Sequence, residues 1–205
     1  MEKPAGTQIP IHDLIRRRWS PRAFSDQPVE AGKLLSVLEA ARWAPSSRNE
    51  QPWAYLVATR DDPAGYEALL GVLVATNSVW AGKAPVLMLT MAHTRIEKDG
   101  QANRHGFYDL GQATTNLILQ ATSLGLATHQ MAGFHVEAAR ERFGLPEGWE
   151  PVSVIALGYP ADAESLPDAL REREMAQRRR KPLEEFVFSG TWGRSASFLD
   201  SSEKK

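Results

Sequence analysis

The chain has 205 residues, 42% of them hydrophobic, which is enough apolar material to bury the core of one domain. Its 24 lysines and arginines meet 25 aspartates and glutamates, a formal charge of −1 that argues against a globally basic nucleic-acid binder. The absence of cysteine excludes disulfides, thiolate catalysis, cysteine-based zinc sites and iron–sulfur clusters. The longest apolar runs, such as residues 84–91, are far too short to span a membrane. Residues 1–10 lack the apolar core of a signal peptide, so a cytoplasmic protein without a membrane partner is the expectation.

In chain order, Ile11, Leu14 and Ile15 mark one face of a short helix that runs into Arg16, Arg17 and Arg18. A second helix is predicted over residues 29–43, with Leu34, Leu35, Leu38 and Ala41 on one face, stopping before Pro45. Residues 53–59 and 85–92 read as strands. The most regular helix follows: Phe107, Thr114 and Ala121 recur every seven residues, as do Leu110, Leu117 and Leu124, and Gly125 supplies a left-handed stop. Such a seam packs against another helix, either inside the chain or across a subunit interface, and the pattern alone does not choose. Residues 152–159 form a third apolar run of strand length. Residues 161–181 are charge-rich, and the tail beyond Asp200 is expected to be disordered. Helices interleave with strands and no linker divides them. The expectation is one α/β or α+β domain over residues 1–205, with its core at about 11–188 and a C-terminal tail at 189–205.

Several motifs are absent. No GxGxxG follows a strand, no P-loop surrounds Lys83, and no GxSxG elbow surrounds Ser46 and Ser47. The five histidines do not fall at metal-ligand spacings, so structural or surface roles are expected for them and no metal site.

Two clusters carry chemistry. Arg18-Trp19-Ser20-Pro21-Arg22-Ala23-Phe24 flanks a hydroxyl with two guanidinium groups, a match for a phosphomonoester. Arg178-Arg179-Arg180-Lys181-Pro182 is a second cationic segment. If the two converge, their mutual repulsion calls for an anion between them; if they do not, they are solvated basic faces. The second cluster, Ala44-Pro45-Ser46-Ser47-Arg48-Asn49-Glu50-Gln51-Pro52-Trp53, packs donors and acceptors between a helix and a strand. It suits the polar edge of a planar heterocycle, though ordinary loops have the same composition.

Together these clusters resemble the FMN-dependent nitroreductase family. The likeness extends through Asn77-x-x-Trp80, Tyr108-Asp109-x-Gly111, Asn116-Leu117, Leu124-Gly125-Leu126, Gly133-Phe134 and Arg178-x-Arg180-Lys181-Pro182-Leu183, over about residues 11–187. The resemblance implies an α+β three-layer sandwich with a central, antiparallel-type mixed sheet. It also implies an intertwined homodimer with FMN at the interface, and it favours the subunit-interface role for the heptad seam.

Carried over by position, Arg18, Ser20 and Arg22 would hold the FMN phosphate and ribityl chain, and Arg178 and Arg180 would complete the phosphate clamp. Ser46, Ser47 and Asn49 would reach the flavin from the other subunit. Asn77 would meet the pyrimidine edge, and the turn Met131-Ala132-Gly133 would lie by the ring. Ala132 replaces an acidic residue of some members, and Trp80 a basic one. The implied activity is electron transfer from NADPH or NADH through FMN to a nitroaromatic, quinone or similar small-molecule electron acceptor, with no catalytic side chain required. The short polar segment 93–105 stands where relatives cap the substrate site, which predicts an open, permissive pocket. Flavin reduction, dehalogenation, substrate oxidation, or a non-catalytic flavin-binding module are the alternatives.

Overall fold

Strand faces alternate strictly, and that alternation builds the molecule in layers. The computed structural model describes residues 2–199; the tail expected to be disordered, beyond Asp200, lies outside them. The sheet is formed by β1 (Trp53–Thr59), β2 (Val86–His93), β3 (Ala127–Met131) and β4 (Trp149–Gly158), in the order β1-β2-β4-β3. Successive side chains point to opposite faces, so Leu56, Leu89, Val154 and Met131 stand in register across one face. Val57, Met88 and Ile155 stand in register across the other. Both faces are covered, which explains why β2 and β4 read as continuous apolar runs.

One face packs on α2 (Ala31–Arg42) and α5 (Gly106–Ser123) through Val37, Ala41, Ala113, Leu117 and Ile118. The opposite face packs on α3 (Pro63–Leu70), α4 (Ala75–Ala81) and α6 (Val136–Arg142) through Tyr66, Leu69, Trp80 and Ala139. The three-layer α+β sandwich is as expected, with one correction: all strand pairings are antiparallel, so the sheet is not mixed. The connection containing α3 and α4 brings β2 beside β1 in the opposite direction, α5 carries the chain on to β3 at the far edge, parallel to β2, and α6 returns it to β4 between them.

The strand predicted at 53–59 is found with those bounds, and those at 85–92 and 152–159 shift slightly, to Val86–His93 and Trp149–Gly158. Strand β3 was not predicted, because Ala-Thr-His-Gln-Met carries neither an apolar run nor aliphatic alternation. Helix α1 (Asp13–Arg17) buries none of its residues, and Ile11 and Ile15 are exposed. Gly125 ends α5 at φ +77°, the left-handed stop its position predicts.

The heptad seam requires the larger correction. Leu110, Thr114, Leu117 and Ala121 are buried within the single chain, Leu117 and Ala121 against α2 and the sheet and Thr114 with its hydroxyl 3.3 Å from that of Tyr55 on β1. Their repeat therefore marks an internal core face rather than a subunit interface. The first seam position, Phe107, is the exception at 52% exposed, and with Tyr108 at 68% it is presented outward above Gly111 and Thr115.

Candidate functional site

The two cationic segments converge. Arg18 lies beside the end of α5 and the start of β3, in a groove that also takes in Lys3, Trp19 and Gly125. Burial, and then the charges of Arg178 and Arg180, hold the Arg18 guanidinium below its usual range. Burial and the Arg180 charge do the same to Arg178. No carboxylate offsets either shift, whereas neighbouring Arg16 and Arg17 are both paired with Asp13, at 2.9 and 2.6 Å. Arg178 donates through Nη1 to the carbonyls of Lys3, at 2.7 Å, and Arg16, at 3.1 Å, which fixes the far end of the chain against the near end. Arg18 reaches Ser20 Oγ at 3.4 Å. Arg180 is exposed and donates to the carbonyl of Arg179.

Arg22 stands differently. Its guanidinium is drawn inward, 6.0 Å from the centre of the Trp80 ring and 3.9 Å from the Glu174 carboxylate. Trp80 is 2% exposed, stacked against Phe24 and 4.5 Å from the His129 ring, so its side chain serves the packing of the core. His129 makes a 2.9 Å hydrogen bond through Nδ1 with the carbonyl of Pro21. Burial is the main cause that pushes its pKa down to about 4, so the ring is neutral, and a neutral ring in that bond donates from Nδ1. The segment carrying Arg18, Ser20 and Arg22 is thereby fastened along the edge strand β3.

At the other end of β3, Asn77 Nδ2 donates to the carbonyl of Gly133 at 2.9 Å, and Val74 N–H donates to the same oxygen at 3.2 Å. A Cβ at Gly133 would lie 2.6 Å from Asn77 Nδ2 and 2.9 Å from Val74 Cγ2, so only glycine permits this approach. The Met131 side chain is in the core, whereas Ala132 is exposed and Gly133 partly so. Four residue steps of β3 separate this turn from the cationic groove, about 14 Å.

Ser46, Ser47 and Asn49 are not brought to this edge. Ser47 N–H donates to Asp109 Oδ2 at 3.0 Å, in the first turn of α5, and Ser46 Oγ accepts from Gln51 N–H at 3.0 Å. Arg48, Asn49 and Gln51 all have positive φ, 55°, 59° and 48°, a concentration of left-handed non-glycine residues that marks a shaped loop. The Glu50 carboxylate accepts from Glu97 N–H and ties this loop to the segment expected to cap the substrate site. The groove around Arg18 lies at the opposite end of α5, about 20 Å away at 1.5 Å per residue.

Neither Asp109 nor Glu174, whose carboxylates accept main-chain N–H groups from these two segments, was singled out from the sequence. Asp109 stood in a recognised motif; Glu174 sat unmarked within a charged run.

The architecture and this arrangement define an α+β sandwich with an arginine-lined groove at one sheet edge. The model of the nitroreductase family matches residues 15–75 and 65–159. A solved structure described as an oxidoreductase containing FMN superposes with a TM-score of 0.87 at 33% identity, covering 93% of this chain and 96% of that one. A nitroreductase family protein from Clostridium difficile 630 gives a TM-score of 0.67 at 30% identity, with 87% and 96% covered. An NADH dehydrogenase of Thermus thermophilus is 31% identical over 189 residues, 75% of this chain and 90% of its own. The chain belongs to the nitroreductase family.

Proposed function

We propose that this chain is an FMN-dependent NAD(P)H oxidoreductase of the nitroreductase type, passing electrons to nitroaromatic, quinone or similar small electrophiles. The observation that carries this reading is the convergence of Arg18, Arg178 and Arg180, none of them in an ion pair among the described residues, at one end of β3, opposite the Asn77–Gly133 pair at the other. That donor set fits FMN: a phosphate requires clustered guanidinium groups, and a planar ring edge requires an amide and close main chain. Bound flavin would supply the hydride and electron chemistry.

The chain's own residues bind and orient. Arg18, Ser20, Arg178 and Arg180 hold the phosphate, with Arg22 in support toward the ribityl chain. Asn77, oriented by Gly133, addresses the pyrimidine edge, and the main chain of residues 131–133 lies alongside the ring. Ser46, Ser47 and Asn49 complete the site from the partner subunit. The roughly 20 Å between the two sets within one chain favours that arrangement, with two copies related by a two-fold axis. Among the described residues, no helix is long and apolar enough to cross a membrane.

The visible spectrum of the purified protein, followed by anaerobic addition of NADH or NADPH, tests the reading. The expected result is a yellow protein that bleaches, the faster nucleotide being the preferred donor. A colourless protein that takes up no added FMN overturns it.

A further inference from the structure

Glu174 lies on α7 (Asp168–Met175), is 1% exposed, and takes no part in the function proposed above. Its Oε1 accepts the main-chain N–H of Arg22 at 2.9 Å and of Ala23 at 3.2 Å; its Oε2 is 3.1 Å from Arg22 N and 3.9 Å from the Arg22 guanidinium. Its own carbonyl accepts from Lys3 Nζ. Four residues later, Arg178 donates to the carbonyls of Lys3 and Arg16. The N-terminal segment thus gives N–H groups to Glu174 and receives them from Arg178. This reciprocal clasp fixes how far Arg18 stands from Arg178 and Arg180. Without it, like charges at that spacing drive the segments apart.

We propose that Glu174 is a positioning residue for the anion groove: its buried carboxylate clamps residues 22–23 onto α7 and holds the cations together before an anion arrives. The proposal rests on the flavin-phosphate reading of that groove. It runs against simple Coulomb reasoning, in which a carboxylate beside an anion site weakens binding. The two effects have opposite signs, so they can be separated. In Glu174→Gln the shape is kept, but one acceptor becomes an amide donor facing N–H groups, and the charge is lost.

The full-length chain, stripped of flavin, is titrated with FMN and with riboflavin, which lacks the phosphate, by flavin fluorescence. Wild type prefers FMN. In Glu174→Gln, FMN affinity is expected to fall about 10- to 100-fold, the range of one charged hydrogen bond, while riboflavin affinity stays within about two-fold. Trypsin should also cut at residues 178–181 faster in the variant. FMN binding equal to or tighter than wild type overturns the proposal, as does an equal loss for both flavins. Wild type that binds both flavins alike overturns the phosphate reading itself, and does so before any variant is compared. If Glu174→Gln does not fold, Glu174→Asp, which keeps the charge and shortens the reach, is read by the same comparison.

Discussion

Individual side chains at the groove carry distinct, measurable signatures. Arg18→Ala removes a half-buried guanidinium, and FMN affinity should drop by about 1.5–3 kcal/mol, with riboflavin affinity little changed; equilibrium titration of both flavins checks this. His129 carries a pH signature. Largely buried, tilted against Trp80 and beside the Arg22 charge, it stays neutral down to about pH 4 in the folded state, while the unfolded chain protonates it near its ordinary value. The unfolded state therefore binds more protons between those values, and stability falls as pH drops from about 6.5 to about 4, by at most ~3 kcal/mol. Urea midpoints across that range should fall more steeply for wild type than for His129→Gln. The arginines of this groove were legible in the sequence because Arg-x-Ser-x-Arg is a local pattern. Glu174 was not, since a buried carboxylate and a solvated one look alike inside a run such as Arg171-Glu172-Arg173-Glu174.

Among the elements, α5 shows what a heptad repeat can and cannot decide. Leu110 and Leu117 recur with the period of any helix that buries one face, and the repeat does not state whether the covering surface is intramolecular. Here α2 and the sheet cover it. Leu117→Ala is expected to cost about 2–5 kcal/mol in denaturant unfolding while leaving the sedimentation behaviour of the folded fraction unchanged. The loop at residues 46–51 makes the complementary point. Its composition suggested an ordinary loop, but three departures into left-handed backbone within four residues, at Arg48, Asn49 and Gln51, are not encoded by glycine. Arg48→Gly should relieve one of them and raise stability by about 0.5–1 kcal/mol, seen as a higher melting temperature. Strand β3 escaped prediction because its pattern is dictated by its neighbours. Thr128 is buried at an edge, His129 meets the Pro21 carbonyl, and only the register with β4 identifies it as a strand.

At the scale of the whole molecule, the separation of the two candidate sets along α5 makes a prediction about pairs of chains. If each site takes its arginines from one copy and its Ser46–Asn49 loop from the other, Arg18→Ala and Asn49→Ala chains should complement each other. Unfolded and refolded together in equal amounts, half the dimers are mixed and each has one intact site, which restores about one quarter of wild-type FMN sites. Sites built within single chains would restore none, so flavin content of the refolded mixture distinguishes the two. The layered fold itself was readable from helices interleaved with the apolar runs of β1, β2 and β4. The pairing of distant segments at the groove was readable only as a question, posed by two clusters of like charge.

The contacts that assemble the groove join residues 152 to 175 positions apart, Arg22 to Glu174 and Lys3 to Arg178. Both layers of helices and all four strands precede Asp168 in the chain. During synthesis the core can therefore collapse while the groove is still missing one wall. Assembly of the groove therefore waits for the segment that carries Glu174 and Arg178, and an anion held there would stabilise the finished protein without guiding the earlier stages of its folding.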